Sequence, residues 1–222
     1  MSGLRIMVAD DHEVVRCGLR ALLESQAGWQ VCAEAVDGRD AVKKAGELRP
    51  DIAVLDIAMP NLNGLEATRQ LLKTNPKMRV LILTQHDSDQ LIREVLIAGA
   101  SGFLLKSDAA DDLVSAVDAL RQNKTYFTSR VASMVLNGFL KGGQGAAVSA
   151  SISPLTARER EITQLLAEGK SSKEVASIFG ISLKTAETHR SNIMRKLDLH
   201  SVSELVLYAV RNNIIHAALA EA

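Results

Sequence analysis

PDIAVLDIAMPNLNG, residues Pro50 to Gly64, decides the reading of the fold. Ile52 to Leu55 is a short apolar run rich in β-branched side chains, set between Pro50-Asp51 and the breakers Pro60, Asn61, Asn63 and Gly64. A run of this kind, with turn residues on both sides, predicts a strand buried on both faces. Asp56 stands at its carboxyl end, where open parallel α/β sheets collect ligands. An acid there also suits a helix or turn cap, and this stretch alone leaves both readings open.

On either side the pattern repeats. Leu4 to Ala9 is an apolar run ending in Asp10-Asp11, followed by Val15, Leu19, Leu22 and Leu23 at helical spacing. Trp29 to Ala35 predicts a second strand, and Asp37 to Leu48 a helix opened by an Asp cap. After the Ile52–Asp56 strand, Leu65 to Leu72 is helical. Arg79 to Thr84 and Gly102 to Leu105 predict the last two strands, and Asp89 to Ala98 and Asp108 to Leu120 their helices. Five alternating strand–helix units imply a doubly wound, flavodoxin-like α/β domain with a five-stranded parallel sheet.

The periodicity then changes. Val131 to Leu140 predicts a connecting helix, and Asn137 to Ser153 is Gly-, Ser- and Ala-rich with little patterned apolar content, as a linker is. From Thr156 onward there are four short helical segments and no strand signal, which predicts a small all-α domain. The expected domains are therefore residues 1–122, a connecting helix and linker at 123–153, and residues 154–222.

With 222 residues, 47% of them hydrophobic, the chain can build two cores, and its formal net charge of zero excludes bulk attraction to nucleic acid. Any such partner must meet a local patch. Cys17 and Cys32 have neither metal-ligand nor disulfide-framework spacing, and no stretch is long and apolar enough to be a signal or a membrane span. A reduced cytoplasmic setting without membrane partners is expected.

If the strands lie side by side, Asp10, Asp11, Asp56, Thr84 and Lys106 converge on one crevice at their carboxyl ends. Crowded carboxylates repel unless a cation joins them, and a hard oxygen-ligated ion such as Mg²⁺ suits that task. A carboxylate nucleophile beside a divalent ion, a lysine and a hydroxyl is equipped for phosphoryl transfer. Singly, Asp11 could cap a helix, Thr84 end a strand and Lys106 be a solvated charge; together, at the ends of alternating strands, they point to a site.

With VADDHE, VLDIAMPNLNG, ILT and GFLLK in order, Met1 to about Arg121 resembles the receiver domain of bacterial two-component response regulators. The resemblance implies that Asp56 accepts a phosphoryl group from a sensor histidine kinase. It implies that Asp11, Asp56 and the Ala58 carbonyl ligate Mg²⁺ with support from Asp10, and that Lys106 and Thr84 contact the phosphoryl oxygens. Phe103 matches the family's aromatic switch position. Ser107 stands where many relatives have proline, so a cis peptide there is not assumed, and Ala58 offers no side chain to guide a hydrolytic water.

In the second domain, Ser172 to Phe179, Gly180-Ile181 and Ser182 to Leu197 read as helix, turn and longer helix. Ala186, Ile193 and Leu197 share the inward stripe of the longer helix, and Lys184, Thr188, Ser191 and Arg195 the opposite one. Lys184, Arg190, Arg195 and Lys196 stand against the single acid Glu187, a local basic patch suited to phosphates. Leu155 to Leu197, with SLKTAETHRSNIMRKL, resembles the LuxR-type helix-turn-helix. The resemblance implies that Glu187, Thr188 and Ser191 contact bases, while Lys184, Thr185, Arg190 and Lys196 suit phosphates. The final helix, with Val202, Leu205, Val206 and Ala209, resembles the family's dimer-forming helix, although core packing would explain it as well.

Together the halves resemble a NarL/FixJ-type response regulator, expected to be a regulator and not an enzyme. Phosphorylation would shift the receiver's conformation, favouring homodimers on double-stranded promoter DNA, with RNA polymerase as a further partner. The alternative is a DNA-binding regulator whose receiver-like domain dimerises without phosphorylation. An aspartyl phosphatase would want a second acid where Ala58 stands, and a dinucleotide-binding enzyme a glycine-rich turn in place of Asp10-Asp11-His12-Glu13.

Overall fold

In the computed structural model, which describes residues 3–85, 87–127, 131 and 154–215, strands form where the apolar runs place them. They are β1 (Leu4–Ala9), β2 (Trp29–Ala35), β3 (Ile52–Asp56), β4 (Arg79–Thr84) and β5 (Gly102–Leu105). All pair in parallel, in the order β2-β1-β3-β4-β5. The central strand β3 is buried at every residue, as a strand covered by helices on both faces must be.

Helices α1 (Glu13–Glu24), α2 (Gly38–Leu48), α3 (Gly64–Thr74), α4 (Asp89–Ala98) and α5 (Ala109–Arg121) alternate with the strands. Three begin on a side-chain cap: Asp37, Asn63 and Ser88 each accept a backbone N–H from the residue three further on. Leu19 and Leu23 of α1 and Leu113, Val117 and Leu120 of α5 share one core with the sheet, each such side chain contributing about 1.5–3 kcal/mol of burial. Lys106 to Asp108 form a 3₁₀ turn between β5 and α5, a detail that apolar spacing does not reveal.

The described residues fall into two compact units. The second contains α6 (Ala157–Ala167), α7 (Ser172–Phe179), α8 (Leu183–Lys196) and α9 (Val202–Arg211) around Ile162, Leu165, Val175, Ile193 and Leu205. Thr156 and Ser171 open α6 and α7 with reciprocal capping boxes, closed by Glu159 and Glu174. Gly180, at φ +63°, ends α7 in the left-handed region and turns the chain into α8, which Ser182 caps. The expected helix from Val131 to Leu140 lies, beyond Val131, outside the described residues. No helix among the described residues is long and apolar enough to cross a membrane.

Candidate functional site

Strand register brings the acids together. Ala9 pairs with Leu55, so Asp10 and Asp56, the next residues, stand side by side where β1 and β3 end. Asp56 pairs with Leu83 and Thr84 with Leu105, which sets Thr84 and Lys106 one residue further along the neighbouring strands. Asp10, Asp56 and Thr84 are all buried, and Asp11 is partly exposed beside them.

Lys106 joins the two buried acids. Its side chain, 14% exposed, places Nζ 2.7 Å from Asp10 Oδ2 and 3.0 Å from Asp56 Oδ2. Burial pushes the Asp56 carboxyl above the usual carboxylate range, Asp10 adding to the rise against Lys106 and the Ala58 backbone N–H. Burial pulls the Lys106 ammonium down, but Asp56 and Asp10 outweigh it and carry it above the ordinary lysine value.

Asp10 Oδ2 and Asp56 Oδ2 are buried oxygens whose partner among the described residues is the Lys106 ammonium, which both of them share. With Asp11 included, three acids face one ammonium. An excess of hard oxygen donors of this kind fits an oxygen-seeking divalent cation such as Mg²⁺. Asp11 Oδ1 lies 2.8 Å from His12 Nδ1, a neighbour that the strand-end argument passed over although it directly follows the acids in the chain.

The turn after β3 depends on Gly64. A Cβ at that position would stand 2.1 Å from the Asp56 carbonyl oxygen, so only glycine lets α3 start against the end of β3. Ala58, two residues beyond Asp56, is exposed. Phe103 is buried in β5, and its N–H donates to the Tyr126 carbonyl at 3.0 Å, while Tyr126 N–H donates to the Ser101 carbonyl at 3.1 Å. Tyr126 thus forms an isolated parallel bridge with Gly102 of β5.

In the second unit, α8 presents Lys184, Thr185, Glu187, Thr188, Ser191, Arg195 and Lys196 to solvent, with Arg190 half-buried and Ala186 and Ile193 turned inward. Thr185 Oγ1 lies 2.8 Å from Ser182 Oγ at the cap, and Thr188 Oγ1 donates to the Lys184 carbonyl at 2.8 Å. Arg195 donates to Asn192 Oδ1 at 3.1 Å. Lys196 stands apart from this face's other cations: its Nζ meets Glu159 Oε2 of α6 at 2.8 Å.

Residues 6–118 match the response regulator receiver domain, and residues 153–209 match the bacterial regulatory proteins of the luxR family. The chain is 37% identical over 213 residues to the transcriptional regulatory protein LiaR of Bacillus subtilis, covering 96% of this chain and all of that one. It is 38% identical over 216 residues to the oxygen regulatory protein NreC of Staphylococcus epidermidis, covering 96% and 99%. Among solved structures, a LuxR-family response regulator from Aurantimonas superposes with a TM-score of 0.58 at 35% identity, over 63% of this chain and 99% of that one. The response regulator ChrA of a heme-sensing two-component system gives 0.50 at 33% identity, over 97% and 100%. The buried acid–lysine crevice and the capped helix-turn-helix therefore sit in a chain that belongs to the two-component response regulators, with a receiver domain and a LuxR-type DNA-binding domain.

Proposed function

We propose that this regulator is switched by phosphorylation of Asp56, with a sensor histidine kinase as donor. The observation that carries the reading is the Lys106 ammonium held between buried Asp10 and Asp56 at the carboxyl ends of the sheet. An Asp56 oxygen attacks phosphorus, the bond from phosphorus to the donor breaks, and an acyl phosphate forms. Asp11, Asp56 and the Ala58 carbonyl, with Asp10 in support, would hold Mg²⁺, which would supply charge neutralisation there. Lys106 then exchanges the Asp56 carboxylate for phosphoryl oxygens, and Thr84 donates its hydroxyl to one of them.

A phosphoryl group brings close to two negative charges. Meeting them draws Lys106 and Thr84 inward, and β4 and β5 repack with Phe103, which favours one of two receiver conformations. In this reading residues 1–122 are the receiver, 123–153 the connection and 154–222 the DNA-binding domain. The active form is a homodimer on double-stranded promoter DNA in the cytoplasm, with RNA polymerase beside it. Glu187, Thr188 and Ser191 read base edges in the major groove, Glu187 by accepting from a cytosine amino group. Lys184, Thr185 and Arg190 hold phosphates, and Arg195 lines the same face; Lys196 reaches a phosphate only by leaving Glu159. Val202 and Leu207, exposed on α9, suit a dimer seam.

The test is the intact mass of the full chain after incubation with Mg²⁺ and acetyl phosphate, beside Asp56→Ala. One added phosphoryl group in the wild type alone is expected, together with tighter promoter binding. An unlabelled wild type, in a buffer that labels another receiver, would favour a regulator that dimerises without phosphorylation.

A further inference from the structure

We propose that Arg16 is a positioning residue for the cation site, acting through the peptide that joins Asp10 to Asp11. The proposal rests on reading Asp10, Asp11 and Asp56 as the cation and phosphoacceptor site. Arg16 lies on α1 with its side chain only 12% exposed, and its guanidinium donates to the Asp10 carbonyl at 2.8 Å. Glu34 of β2 holds the guanidinium from behind, 3.8 Å from its Nε, and also accepts from Arg20 at 2.8 Å.

Each polar group of Asp10 is tied to a different part of the domain. Its N–H donates to the Ala35 carbonyl at 3.2 Å, one carboxylate oxygen accepts from the His12 N–H at 2.9 Å, and the other faces Lys106. The carbonyl is the group left to Arg16. That carbonyl belongs to the peptide plane between the two acids, so its direction sets how the Asp11 carboxylate is aimed relative to that of Asp10. A buried carbonyl deprived of its donor turns to find another, and the Asp10–Asp11 peptide turns with it.

Charge and positioning predict opposite signs. Arg16 is a cation beside a cation site, so its removal by electrostatics alone would tighten Mg²⁺ binding. Loss of positioning would weaken it, by about tenfold if Arg16 behaves like other outer-sphere partners of metal ligands. Arg20 provides the control, because it shares Glu34 and carries the same charge but makes no contact with Asp10 among the described residues.

The experiment measures Mg²⁺ binding to the full chain by calorimetry, and the Mg²⁺ dependence of acetyl phosphate labelling by intact mass, for wild type, Arg16→Met, Arg16→Lys, Glu34→Gln and Arg20→Met. For Arg16→Met the expectation is about tenfold weaker Mg²⁺ binding and half-saturation, with the limiting labelling rate at saturating Mg²⁺ largely kept. Glu34→Gln, which leaves Arg16 present but unanchored, also removes an anion and weakens binding by charge alone, so Arg16→Lys, which keeps the charge but loses the guanidinium's reach to the Asp10 carbonyl, decides the matter if Arg16→Met does not fold: binding weaker than wild type is expected, and unchanged binding overturns the role. Arg20→Met stays within about twofold of wild type. Unchanged or tighter binding in Arg16→Met, or an equal shift in Arg20→Met, overturns the positioning role. A wild type that neither binds Mg²⁺ nor takes the phosphoryl group overturns the reading of the site instead.

Discussion

Replacing Glu159 by Gln removes one charge from the DNA-binding domain while keeping an acceptor for its capping contact. The carboxylate accepts from Lys196 Nζ at 2.8 Å and from the Thr156 N–H at 2.7 Å. Lys196 first, then the Thr156 backbone, holds the carboxyl well below its ordinary 4.5, at about 2. Taken at face value the difference is worth about 3 kcal/mol of stability. The Lys196 side chain is 38% exposed, however, and solvent screening reduces the expected loss to about 1 kcal/mol. A depressed acid stabilises the fold above its unfolded value and loses that contribution as pH falls through its folded value, so the window runs from about pH 4.5 down to about 2. Hydrogen-exchange mass spectrometry of the full chain reads the effect in peptides from α6 and α8. At pH 7 exchange through local opening should be about fivefold faster in Glu159→Gln than in wild type, and the ratio should shrink at pH 4 and again at pH 3. Lys196→Met should behave likewise, and the double variant should add little to either single one. Equal exchange at pH 7, or a ratio that persists undiminished at pH 3, would refute the reasoning.

Lys106→Met leaves Asp10 and Asp56 buried without their cation, so urea midpoints should reveal a loss of roughly 3–5 kcal/mol at pH 7.5; the loss should fall as pH is lowered, because burial already favours a proton on Asp56, and Mg²⁺ should restore part of it. Gly64→Ala drives a Cβ into the Asp56 carbonyl; an overpacking cost of about 1–3 kcal/mol and a clear drop in acetyl phosphate labelling are expected, and normal labelling would show that α3 can shift without disturbing the acceptor. In promoter-binding titrations against salt, Lys184→Ala and Arg190→Ala should each reduce the slope by about one, whereas Lys196→Met should leave it nearly unchanged because that ammonium is engaged by Glu159.

The sequence by itself determined the local structure and the candidates for chemistry. Apolar runs marked β1 to β5 at their observed ends, and the caps Asp37 and Ser182 were legible because each bonds an amide three residues away, whereas Asn63, read as a turn breaker, proved to cap α3. Asp10, Asp11, Asp56, Thr84 and Lys106 were legible as a set because strand ends are local features, and parallel alternation leaves those ends on one edge of the sheet. Only the tertiary structure decided the contacts. It set β1 between β2 and β3, joined Lys106 to both Asp10 and Asp56, laid Tyr126 along β5, anchored Arg16 on Glu34, and turned Lys196 toward Glu159, 37 residues earlier. Hydrophobic periodicity records which face of a helix or strand is buried, but not which polar groups that burial brings within 3 or 4 Å. Those distances follow from strand order, register and helix packing, which arise only when the elements meet.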